Sequence, residues 1–152
     1  MDYLKLARET LYNENQKIVI VNNIVSENNI ISNNNIIYKN DGFGIKPLYC
    51  AYLKVKEQMK GASCADRVIG KAAAWIYIEA GIKELYCDVI TTIAKNMLLE
   101  SGIKVIFVEE IDFVENRDKT GMCPVESLAK DETNFDNLLK NIEKFLIEKN
   151  LL

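Results

Sequence analysis

Lys83-Glu84-Leu85-Tyr86-Cys87-Asp88-Val89, then Thr91 to Glu100, Ser101-Gly102 and Ile103 to Val108, decide the fold. The first and last pieces predict strands and the middle one a helix that Ser101-Gly102 closes. Strand, helix and strand joined by tight Gly connections predict parallel strands with a crossover helix. Upstream, Val68 to Ala80 is nearly all apolar and contains Gly70 and Ala72-Ala73-Ala74. It predicts a central helix, opened at Ser63-Cys64-Ala65-Asp66 by a capping-box pattern and closed by Gly81.

Further out, Lys17 to Val21 is β-branched and continuous and predicts a buried strand. Residues 3 to 12 predict a short helix on Leu4, Ala7 and Leu11. Asn40-Asp41-Gly42-Phe43-Gly44 is a turn cluster, and Pro47 opens a helix that runs to about Met59. Between Asn22 and Asn35, clumps of Ile (Ile24-Val25, Asn29-Ile30-Ile31, Asn35-Ile36-Ile37-Tyr38) predict strand fragments separated by Asn turns. Downstream, 111 to 123 is mixed, Pro124 to Ala129 is a helical turn, and Asn134 to Leu152 is an amphipathic helix. The expected architecture is one α/β domain over residues 1–152. It is a three-layer α/β/α sandwich on a mixed sheet of about five strands.

Composition narrows the function. Of 152 residues, 49% are hydrophobic and 27% charged, the balance of a globular chain. Net charge is −3 and no basic stretch interleaves with aromatics, so nucleic acid is not an expected partner. The chain has no histidine, which excludes Ser-His-Asp and Cys-His catalysis and His-ligated zinc. The longest apolar run, Ala72 to Ile78, is too short for a membrane span, so no membrane partner is expected. Cys50, Cys64, Cys87 and Cys123 form no C-x-x-C pair. Without an export signal at Met1 to Thr10, reduced thiols in a cytoplasm are expected.

Three groups could carry chemistry. Cys64-Ala65-Asp66, placed at a helix start, would offer a thiol of lowered pKa beside a carboxylate; the structural alternative is a capped helix with a small packing cysteine. Arg67 and Lys71, four apart on one helix face with Lys46 nearby, could cradle a phosphate or carboxylate. Otherwise they are basic residues snorkelling from a buried helix. Asn116-Arg117, followed by Gly121-Met122-Cys123-Pro124-Val125-Glu126, is a polar loop running into a helix start. Its amides would suit an anion, with Cys123 beside them. The alternative is an ordinary connection in which Glu126 favours the helix dipole. There is no G-x-G-x-x-G and no Walker A motif.

The stretch Ser63 to Ala74, the Asn116-Arg117…Gly121 to Glu126 segment and Gly44-Ile45-Lys46-Pro47-Leu48 together resemble the small bacterial proteins of domain-of-unknown-function family 1893. The resemblance covers most of the chain and is weakest in the Asn-rich segment. It implies a cytidine-deaminase-like fold. Zinc deaminases place His or Cys, Ala and Glu at the start of the second core helix, and Pro-Cys-x-x-Cys at the start of the helix after the third strand. On the elements predicted above, Cys64-Ala65-Asp66 takes the first place and Ile90 to Lys95 the second. The second has no ligand, so no metal and no cofactor are expected.

The expected site therefore has Asp66, Cys123 and Glu126 as catalytic candidates. Lys46, Arg67, Lys71, Asn116 and Arg117 would bind an anionic or nucleotide-like small molecule at the strand ends. Two further readings stand beside it: thiol chemistry on Cys123 or Cys64, and a non-catalytic scaffold, such as a homodimer.

Overall fold

The computed structural model describes residues 2–23 and 30–152; the Ile24-Val25 fragment and Asn29 lie outside them. Helix α1 (Tyr3–Asn13) opens with Asp2, whose carboxylate accepts from the Leu4 N–H at 2.9 Å. It buries Leu4, Ala7 and Leu11 along one stripe. Strand β1 (Ile18–Val21) is buried throughout, as its unbroken β-branched run requires. A single 3-10 turn, Asn33–Asn35, leads into β2 (Ile36–Asn40), which pairs antiparallel with β1. Helix α2 (Lys46–Met59) follows, with Pro47 in its first turn.

The largest departure from expectation comes next. Ser63-Cys64-Ala65-Asp66 does not open a helix: Ser63–Ile69 is strand β3, and helix α3 is only Lys71–Ala80. Ser63 caps nothing; its hydroxyl donates to the Glu84 carboxylate at 2.5 Å. The segment carries little local strand preference. Its position decides: β3 runs between β1, antiparallel, and β4, parallel, and is buried on both faces. Gly70 separates it from α3, and Gly81, at φ +74°, ends α3 as a left-handed cap.

Strand β4 (Glu84–Thr91), helix α4 (Thr92–Glu100) and strand β5 (Lys104–Ile111) complete the predicted parallel unit. The sheet order is β2-β1-β3-β4-β5, so the sheet is mixed and has five strands. Two helices close the chain, the short α5 (Pro124–Lys130) and the longer α6 (Phe135–Glu148). The layers follow from the core. Val19, Val21, Ala65 and Tyr86 pack against Leu4, Ala7 and Leu11 of α1 on one face. Ile18, Ile20, Cys64, Leu85 and Cys87 pack against the other helices on the opposite face. Among the described residues no helix is long and apolar enough to cross a membrane.

Candidate functional site

Alternation along β3 sorts its side chains. Cys64 and Asp66 face α2 and α3; Ala65 and Arg67 face α1. The alternation then slips, because Ile69 returns to the core that holds Cys64. Arg67 and Lys71 therefore do not share a helix face. The Arg67 guanidinium donates to the carbonyls of Gln16 (3.0 Å) and Leu11 (3.1 Å) and pairs with Asp88 at 3.2 Å. It also lies 4.9 Å from the Tyr12 ring centroid. All of these partners belong to the α1 side of the sheet or to the chain just after α1.

Asp66 sits midway along β3. One carboxylate oxygen accepts from the Tyr77 hydroxyl at 2.7 Å and the other from the Arg67 N–H at 2.7 Å. Burial raises its pKa from 3.8 to about 7, against the opposing effect of these hydrogen bonds and a further one from the Val68 N–H. Tyr77 is itself fully buried, and burial next to Asp66 holds its pKa well above the ordinary range. Its proton therefore stays in place and points at the carboxylate.

Glu126 reaches the same region from α5. Its carboxylate accepts from the N–H groups of Lys71 (2.8 Å) and Ala72 (3.3 Å), so it occupies the positive end of α3. Burial raises its pKa and the two amides pull it back down. The approach is close: a Cβ on Gly70 would lie 2.3 Å from the carboxylate. Gly70 has φ −102°, so glycine is needed here for space and not for conformation.

A cavity of about 350 Å³ opens between these groups. Phe43, Ile45, Pro47 and Leu48 wall it on the α2 side, with Val68, Ala73, Val114 and Val125 opposite. Asp66, Cys123 and Glu126 line it, and so do Arg67 and Lys17. Asp66 of β3 thus meets Cys123 and Glu126, from the start of α5, at one concave surface.

The remaining candidates lie elsewhere. The Lys71 amine donates to the Lys130 carbonyl at 3.0 Å and sits over Trp75, outside the cavity wall. Lys46 is half-buried between two wall residues without lining the cavity itself. Asn116 builds its own loop, accepting from the Thr120 N–H and donating to its hydroxyl, and Arg117 is exposed. Cys64 is buried in the sheet, where burial pushes its thiol well up; it is not the thiolate of a helix start. Cys123 is half-buried at the N-terminus of α5. Tyr77 and Phe43 escaped the sequence reading: Tyr77 meets Asp66 only when 63–69 is a strand, and Phe43 read as part of a turn.

The family model described as a domain of unknown function, DUF1893 (TM1506), matches residues 16–146. This chain belongs to the DUF1893 family. A crystal structure of a DUF1893 protein, TM1506 from Thermotoga maritima, superposes on the chain with a TM-score of 0.78 at 20% identity. The match covers 93% of this chain and 88% of that one, and at this identity it speaks for the fold alone. No curated protein matches the chain.

Cys64-Ala65-Asp66, expected at a helix start, lies instead within strand β3. The helix starts that border the cavity are those of α2 and α3, through Ile45, Pro47, Gly70 and Ala73. Neither start carries a thiol or an imidazole. Among the described residues no three Cys, Asp or Glu side chains are grouped to share a metal ion. The donors at this DUF1893 cavity do not fit a three-ligand catalytic zinc.

Proposed function

We propose that this DUF1893 protein binds a small heterocyclic, nucleobase-like molecule in the cavity between α2, β3 and α5, and that Asp66 is the group that meets it. The fold read here is the deaminase-like one, used without zinc. One observation carries the reading: a carboxyl group with a pKa of about 7 lines an otherwise largely apolar cavity, held there by Tyr77. A cavity of about this size that combines apolar walls with a few fixed polar groups is the usual form of a ligand site. A half-buried carboxyl poised near neutrality can accept or return a proton at a ring nitrogen.

The charge at the site selects the ligand. Arg67 is spent on α1, Lys71 on α5, and Lys17 stands over the exposed Phe43 ring. Two carboxyl groups remain inside, and these favour ring N–H donors over phosphate oxygens. The test is a thermal-shift series of nucleobases, nucleosides, nucleotides and sugar phosphates on wild type and Asp66→Asn. The reading expects nucleobases or nucleosides to raise the midpoint, and Asp66→Asn to abolish the rise. Stabilisation by nucleotides and sugar phosphates alone would instead support an anionic ligand. No stabilisation by any member of the series sinks the proposal.

Cys123 keeps the thiol reading alive, because it is the cysteine that lines the cavity. Loss of ligand response in Cys123→Ser with Asp66 intact would favour it.

A further inference from the structure

The last strand is unlike the others. β5 ends the sheet, so one side of its backbone, from Lys104 to Ile111, carries N–H and C=O groups that no strand among the described residues pairs. Strand edges of this kind are normally short, or blunted by charged side chains, proline or a bulge. This one is eight residues long, contains no proline or glycine, and carries its charges towards its ends, at Lys104, Glu109 and Glu110. Its middle is apolar and open: Ile106 is 41% exposed, Phe107 36% and Val108 71%. Ile106 also borders a groove that continues over Leu4, Arg8, Tyr12 and Tyr86 on the α1 face.

We propose that β5 is the seam of a homodimer, in which β5 of a second copy pairs antiparallel about a two-fold axis at Phe107 and joins two five-stranded sheets into one. The charge pattern selects this arrangement. The strand reads Lys-Val-Ile-Phe-Val-Glu-Glu, with a cation at one end and two acids at the other. Pairing centred on Phe107 sets Ile106 against Val108 of the second copy. It brings Lys104 level with Glu110 of that copy, with Glu109 adjacent. A parallel pairing would stack lysine on lysine and glutamate on glutamate, which directly opposed residues do not tolerate. Centring on Phe107 also keeps opposed residues on the same face, because equal displacements from one residue preserve the alternation. The seam supplies backbone partners to the edge and covers the apolar triplet in one step.

This proposal is independent of the cavity and stands or falls without it. Sedimentation velocity of the full chain is expected to give twice the 17.3 kDa chain mass. Val108→Lys places a cation at the most exposed of the three apolar edge positions and is expected to give the single-chain mass with an unchanged circular dichroism spectrum. The register has its own test, in a background carrying Cys50→Ser and Cys123→Ser. Phe107→Cys opposes itself across the axis, where Cα atoms of a strand pair lie about 4.5–5.5 Å apart, within disulfide reach. Mild oxidation is expected to link its chains covalently, whereas Lys104→Cys stays unlinked. A wild-type protein that remains a single chain at all concentrations overturns the proposal. So does a Val108→Lys protein that stays dimeric, or cross-linking through position 104 and not 107.

Discussion

Gly70→Ala is the sharpest test of how the cavity is built. An added methyl would stand 2.3 to 2.5 Å from all three atoms of the Glu126 carboxyl group, far inside van der Waals contact. The backbone itself accepts alanine, since φ −102° and ψ −172° are extended values. What must give is the far end of the Glu126 side chain, which swings off the Lys71 and Ala72 amides. Hydrogen bonds to a charged group contribute about 1.5–3 kcal/mol each, and part of that returns as the freed carboxylate is hydrated. Replacing glycine also removes freedom from the unfolded chain and returns about 0.4–1 kcal/mol. The net expectation is a loss of about 1–3 kcal/mol, a fall in Tm of roughly 2–4 °C per kcal/mol for a chain of this length. Urea denaturation followed by circular dichroism reads it. The cycle with Glu126→Ala isolates the contact, since the double variant is expected to be no less stable than Glu126→Ala alone. If Gly70→Ala is as stable as wild type while Glu126 is present, the carboxylate does not occupy the end of α3 and this account of the site is wrong.

Three further expectations follow from the same geometry. Because the folded pKa of Asp66 lies above its unfolded value, the folded protein holds the extra proton, and stability is fully present below about pH 4 and lost as pH rises towards 7. Asp66→Asn should flatten the decline by an amount on the order of 2–4 kcal/mol, measured as unfolding free energy at pH 4 and pH 8; equal slopes refute it. Arg67→Ala strands the Leu11 and Gln16 carbonyls and the Asp88 carboxylate, and should cost about 2–3 kcal/mol in urea denaturation. Lysine at this position should recover little of that, for want of the fork. Among the thiols, Cys64 and Cys87 are buried, with the Cys87 pKa pushed up to about 12 by burial. A native-state thiol titration at pH 8 should therefore reach Cys50 and Cys123 quickly, and the other two only on unfolding. Fast reaction of four thiols would contradict the placement of β3 and β4.

The parts of the fold that sequence reveals are those where local pattern and burial agree. β1 has a continuous β-branched run, α6 buries Leu138, Ile142 and Leu146 at helical spacing, and Gly81 caps α3 where a left-handed residue is needed. β3 is the contrary case. Ser63, Cys64, Ala65, Asp66 and Arg67 are neutral or poor strand formers, and Ser63 with Asp66 imitates a helix cap. The strand exists because two neighbours offer it a full ladder and because small side chains let α1 and α3 close on both faces. Gly70 was the available warning: it lies inside the predicted helix, where glycine costs about 1 kcal/mol against alanine, and inside no element of the real one.

The same misreading explains why the site was legible as a place but not as a charge. Asp66 lies midway along β3 and Glu126 in the first turn of α5, and both line the cavity. The directions of the basic side chains depend on whether 63–69 is helix or strand. In a helix, Arg67 and Lys71 point one way and make a cationic cradle. In a strand followed by a helix they part, Arg67 to the carbonyls of Leu11 and Gln16 and Lys71 to that of Lys130. The positive helix end left behind at α3 is already filled by Glu126. On the proposed reading, a ligand of this cavity meets a proton-holding carboxyl and a capped helix in place of the predicted Arg67–Lys71 cradle, and that inversion turns the search from phosphates towards ring nitrogens.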